Sequence, residues 1–263
     1  MRLIMNKKTV GLIVPMALSG ALLTSCMLFY AGALAGTQAV RGIGVGALPQ
    51  GYSEVGDFWI TGRPDNTATI TRYIGDNRDV RIPSEIEGVL ITRIYGYQTA
   101  LLGGGSRFTG AFQGGRLTSV TIPGSVASIG RLAFENNRLT SVSIGNGVIS
   151  IGHQAFARNN LTSITIPNSV TTIEAEAFAR NELTSVTIPN SVTSIGAEAF
   201  ARNQLTNITI GNGVRSIGAS AFTNNRRLTS VVIPFPTLTQ ADFAWGGTGW
   251  RTGINQNVIV LTP

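Results

Sequence analysis

Cysteine and histidine each occur once among the 263 residues, and the only lysines are Lys7 and Lys8. A single cysteine, Cys26, excludes an intrachain disulfide. His153 has neither a second histidine nor a cysteine with which to build a zinc or iron site, so no metal and no cofactor is expected. A Ser-His-Asp triad would have to run through that same residue. Charged residues make up only 13% and aromatics 7% of the chain. The net charge of +7 owes part of its excess to Arg2, Lys7 and Lys8. Beyond residue 36 there are 17 arginines against 13 acids, a mild excess of about +4. No basic stripe interleaved with aromatics accompanies it, so nucleic acid is not an expected partner.

What the chain has instead is glycine, 32 of them, and a repeat. Residues 183–204 read LTSVTIPNSVTSIGAEAFARNQ, and the same phrase returns with leucine at 117, 139, 161, 183, 205 and 228. Four steps of 22 and one of 23 are the mark of a solenoid, in which each coil buries its apolar side chains only against its neighbours. Within one copy, Val186, Thr187 and Ile188 alternate as a half-buried strand does. Pro189 and Asn190 turn the chain. Val192 and Ile195 form a second extended piece, Gly196 breaks it, and 197–203 reads as one or two helical turns with Glu198 and Arg202 at i,i+4. Asn203, with Asn137, Asn159, Asn181 and Asn225 at the same phase, has an amide suited to bonding the turn backbone. Seven positions point inward: Leu183, Val186, Ile188, Val192, Ile195, Ala199 and Phe200. Stacking turns each into a column, and the strands into a parallel sheet at roughly 4.8 Å per coil.

The phased pattern L-x-x-V-x-I-P-x-x-V-x-x-I-x-x-x-A-F-x-x-N resembles the BspA-like, Treponema-type leucine-rich repeat over about 79–234. The resemblance implies a mostly β, right-handed, curved leucine-rich-repeat solenoid with short helical turns on its outer side and caps at both ends. It also implies a bacterial cell-surface protein concerned with adhesion, and it brings no catalytic motif.

Residues 1–9 are basic and 10–40 carry no charge, the pattern of an export leader over 1–35. Leu23-Thr24-Ser25-Cys26 resembles a bacterial lipobox, in which Cys26 is lipidated. Ala33-Leu34-Ala35 fits an ordinary signal-peptidase site. Left uncleaved, the run is long enough to span a bilayer. The lipoprotein is the preferred reading, and all three fates export the rest of the chain. A Gly-rich tether follows at 36–56, then a strand-turn-strand at 57–78 expected to cap the repeats. Relative to the later copies, 13 residues are inserted around YGYQTALLGGGSRFTG, within 95–110. The insertion reads as a loop or a part of the cap, with a binding role as the alternative. Residues 235–263 read as a C-terminal cap, with Trp245 and Trp250 packing there and a closing strand near 258–261.

Two columns are candidate recognition surfaces. Thr162, Ser163, Thr165, Thr184, Ser185, Thr187 and Thr206 stand outward on the first strands and form a hydroxyl array. Arg158, Arg180 and Arg202 recur one coil apart and suit bidentate contact to an anion if Glu176, Glu182 and Glu198 do not neutralise them. Glu176 and Glu198, roughly 5 Å apart by coil spacing, could serve as a glycosidase pair, but the arginine four residues after each favours a solvated ion-pair face. The expectation is a non-catalytic protein of the cell surface or outer envelope, membrane-anchored through its N-terminus. Its expected partner is an extracellular protein, with a glycan as a further possibility. The alternative is a structural envelope repeat without a ligand.

Overall fold

The computed structural model describes residues 53–100, 105–232 and 259–261, all inside the compact unit Gly46–Pro263. Cys26, Trp245 and Trp250, and with them the leader and most of both the tether and the C-terminal cap, lie outside the described residues. Among the described residues there are only strands and turns, and no helix is long and apolar enough to cross a membrane.

Strands β1 (Ser53–Val55), β2 (Phe58–Gly62) and β3 (Thr67–Tyr73) form an antiparallel meander. The expected strand-turn-strand is therefore present, with Asp65 holding the turn through the Thr67 hydroxyl at 2.6 Å. β4 (Asp79–Arg81) opens the repeats. β5 (Glu85–Ile86) lies antiparallel against β6 (Val89–Ile94), which pairs in parallel with β3. The inserted segment is neither bare loop nor coil. It forms a hairpin of β7 (Tyr97–Ala100) and β8 (Ser106–Thr109). Tyr97 sits 6.3 Å from Trp59, and the Arg72 guanidinium lies 4.9 Å over the same indole. That packing helps bury Trp59, whose carbonyl accepts the hydroxyl of the buried Thr71 at 3.1 Å.

From there the chain alternates between two parallel ladders, a front one built from the L-x-x-V-x-I strands and a back one built from the second extended pieces. In order come β9 (Ser119–Ile122, front), β10 (Ser128–Ile129, back), β11 (Ser141–Ile144, front) and β12 (Ser150–Ile151, back). They are followed by β13 (Thr172–Ile173, back), β14 (Ser185–Ile188, front), β15 (Ser194–Ile195, back) and β16 (Asn207–Ile210, front). The last are β17 (Ser216–Ile217, back), β18 (Ser230–Val232, front) and β19 (Ile259–Leu261). β19 pairs in parallel with β18, so the expected closing strand is there. The back ladder runs unbroken from β3 through β6, β10, β12, β13 and β15 to β17. The front ladder does not. It splits into β4-β9-β11 and β14-β16-β18-β19, because 163–166 makes no strand. The expected continuous front sheet is thus interrupted in one coil.

All seven inward positions of coil 183–204 are at most 4% exposed. Phe112, Phe134, Phe156, Phe178, Phe200 and Phe222 form one stack with centroids 4.8 to 5.7 Å apart, each offset pair adding about 0.5–1.5 kcal/mol to its burial. The neighbouring alanine column is buried to the same degree. The asparagines close the corner. Asn203 Oδ1 accepts the Leu183 N–H at 3.1 Å, while its Nδ2 donates to Phe178 O and Phe200 O at 3.0 Å each. One buried amide thus ties two coils, and the same bonds recur at Asn137, Asn159, Asn181 and Asn225.

The expected helical turns at 197–203 do not form. Glu198 and Arg202 have φ of +53° and +58°, as do their counterparts in other coils within a few degrees, and a left-handed residue every fourth position breaks a right-handed helix. Ala199 and Ala201 donate to Gly196 O and Glu198 O, three residues back. In alternation, Glu198, Phe200 and Arg202 donate to Ala219, Ala221 and Thr223 of the next coil, at 2.8 to 3.0 Å. The local preference of AEAFAR for helix loses to these inter-coil bonds, which satisfy every second amide without one.

Candidate functional site

Strand alternation sends Val186 and Ile188 into the core and Ser185 and Thr187 out. Repeating this in adjacent coils makes a groove of about 560 Å³ on the front, lined by Ser163, Thr165, Ser185, Thr187 and Thr209. Among the described residues no charged and no aromatic side chain lines it. Asn168, Asn190 and Asn212, from the turn after each strand, form its rim. Sequence reasoning took Asn190 only as a turn residue. The recurrence of asparagine right after Pro167, Pro189 and Gly211 was the available signal.

The seven predicted hydroxyls divide into two sets. Thr184 donates to Thr162 O at 3.4 Å and Thr206 to Thr184 O at 3.1 Å, as Thr229 does to Thr206 O. That column is spent on the backbone of the coil before. Ser163, Thr165, Ser185 and Thr187 are exposed, and their hydroxyls have no partner among the described residues. Thr162 contributes its carbonyl, not its hydroxyl. Beneath this set lies the interrupted stretch. No backbone hydrogen bond involves 163–166 among the described residues, and the inward Val142 and Ile164 beside it are only half-buried. Their counterparts Val120, Val186 and Ile208 are at most 4% exposed.

The arginine column is elsewhere on the coil, in the turns. Arg158 Nε lies 3.4 Å from Glu135 of the preceding coil. Arg180 and Arg202 are exposed and form no ion pair among the described residues. The expected i,i+4 pairs with Glu176 and Glu198 are not made, because there is no helix to bring those positions together. Glu176 is instead met by Gln154 Nε2 at 2.9 Å and His153 Nε2 at 3.9 Å, and Glu182 by Asn160 at 3.0 Å. Among the described residues no three His, Cys, Asp or Glu side chains converge as a metal site would need.

The back ladder carries a hydroxyl column that sequence reasoning passed over: Ser128, Ser150, Thr172, Ser194 and Ser216, in register. It borders a groove of about 690 Å³ with Gly196 and Gly218 in its lining and Glu174 and Arg215 beside them. Arg215 is tied to Asn212 O at 2.8 Å, and Glu174 accepts the His153 amide.

The chain matches the family model described as a BspA type leucine rich repeat region, in six copies over residues 108–240. No curated protein matches it. Among solved structures it is similar to a leucine rich cell surface protein from Faecalibacterium prausnitzii A2-165, at 30% identity over 70% of this chain and 55% of that one, with a TM-score of 0.49. A T. pallidum leucine rich repeat protein is 23% identical over 78% of this chain and 80% of its own, TM-score 0.47. A leucine-rich repeat protein from Eubacterium ventriosum is 20% identical over 68% and 42%, TM-score 0.45. The chain thus spans about half the length of the first of these relatives.

Proposed function

Because the chain belongs to the BspA-type leucine-rich-repeat family, we propose that it is a non-catalytic binding protein of the cell surface whose partner, an extracellular protein, docks on the front groove. The observation that carries this is the set of exposed hydroxyls at Ser163, Thr165, Ser185 and Thr187 that nothing among the described residues engages. A row of such groups at fixed spacing binds a large partner with little ordering cost. The lining is uncharged, so specificity comes from shape and hydroxyl hydrogen bonds rather than from charge steering. In this reading the solenoid is right-handed and curved with the front ladder on its inner side. The β2–β3 hairpin and residues 235–263 cap its ends, and Cys26 carries a lipid anchor. Replacing Cys26 by Ala should abolish incorporation of a labelled fatty acid; a mature N-terminus at Gly36 would contradict the anchor and leave the groove untouched.

The groove is tested with immobilised extracellular-matrix proteins. The wild type should be retained by at least one of them, T165R/T187R should lose at least about tenfold in affinity, and an Arg158, Arg180, Arg202→Ser triple variant should keep it. No titratable group lines the groove among the described residues, so retention should be flat between about pH 5 and 9. Loss in the triple variant alone would move the site to the arginine column. Retention by nothing would favour a structural envelope repeat.

A further inference from the structure

At the back of the first coils the inserted hairpin makes a surface that no regular coil has. After the two-residue strands of the back ladder stand Gly130, Gly152, Gly196 and Gly218, and Glu174 after β13. In β6 that position is Tyr95. Its ring passes against Gly130, where an added Cβ would come within 2.1 Å of Cδ2, so glycine there is what leaves room for the ring. Phe108 of β8 meets Tyr95 edge-on, with centroids 5.3 Å apart at 78°. The Arg131 guanidinium stands 6.0 Å over Phe108. Arg93 leaves the outer face of β6 two residues before Tyr95 and is in register with Ser128.

Two properties set the patch apart. Tyr95 is 47% exposed, although its position is fixed by the glycine below and the phenyl ring beside it. Arg93 and Arg131 are both exposed, and neither belongs to any of the ion pairs formed among the described residues. An anchored aromatic ring offers a flat apolar face for the C–H side of a pyranose. A guanidinium offers a planar pair of donors that matches a carboxylate. A phenol and a serine hydroxyl add neutral polar contacts beside them.

We propose that Tyr95, Phe108, Arg93, Arg131 and Ser128 form a binding site for a carboxylate-bearing sugar, separate from the front groove. The sugar stacks on Tyr95, and its carboxylate pairs with Arg131 or Arg93. Titration calorimetry of the full chain with trigalacturonate, and with maltotriose as the neutral control, tests this. Trigalacturonate should bind and maltotriose should be at least tenfold weaker. Tyr95→Ala should lose at least tenfold and Tyr95→Phe should retain most of the affinity. Arg93→Gln combined with Arg131→Gln should bring the two sugars level, and T165R/T187R should change nothing. Absence of trigalacturonate binding at millimolar concentration, equal binding of the neutral sugar to the wild type, or an unchanged Tyr95→Ala variant would overturn the proposal.

Discussion

Coil 161–182 has two sides that are built from nearly the same residues and hold together differently. On its back, Thr172 and Ile173 are in register with β12 on one side and β15 on the other. Its turn amides at Glu176, Phe178 and Arg180 bond the next coil at 2.8 to 2.9 Å, and Asn181 ties the corner. On its front, 163–166 bonds to neither neighbour. The coil keeps its place because the back ladder, the turns, the Phe stack and the asparagines suffice to hold it. Front-ladder pairing is therefore dispensable in at least one coil, which leaves that surface free to meet something else. The hydroxyls without a partner sit on the side where the backbone is also least engaged.

The comparison breaks most visibly through the shared core. Phe178→Ala removes a fully buried ring between Phe156 and Phe200 and should cost about 3–5 kcal/mol in denaturant unfolding. Both ladders should be lost in one transition. Next comes Asn181→Ala, which strands the Leu161 amide in the interior and takes one of two asparagine donors from each of the Phe156 and Phe178 carbonyls, leaving them to Asn159 and Asn203, and it should cost about 1–3 kcal/mol. A smaller effect separates turn from helix. Glu198→Gly and Arg202→Gly should be neutral or stabilising, because glycine is at ease at the positive φ they occupy. In a helix each would cost about 1 kcal/mol. Least of all, Ile164→Val should change stability by under about 1 kcal/mol, since Ile164 is already half-exposed.

The columns were legible because a strict 22-residue step leaves each position one environment to serve. Leu183, Val186, Ile188, Val192, Ile195, Ala199 and Phe200 could be assigned inward from spacing alone, and the corner role of Asn203 from its recurrence. The turns were misread because AEAFAR is a good helix sequence in isolation, and the bonds that overrule it come from the next coil. The interruption left no trace to read. LTSITI at 161–166 differs from LTSVTI at 183–188 only by Ile164 for Val186, and Ile208 occupies the same column in an intact ladder. The aromatic patch was half legible. The insertion could be counted, but only the fold brings Phe108 onto Tyr95, and Tyr95 onto Gly130.

Amide hydrogen exchange within this one coil tests the central claim most directly. The amides of 163–166 should exchange at least about tenfold faster than those of Thr171, Glu174 and Phe178, which bond neighbouring coils at 2.8 to 2.9 Å, and a partner that docks on the front should slow the former and not the latter. Equal protection of the two sets in the free protein would mean that the front ladder is continuous, and would contradict the account.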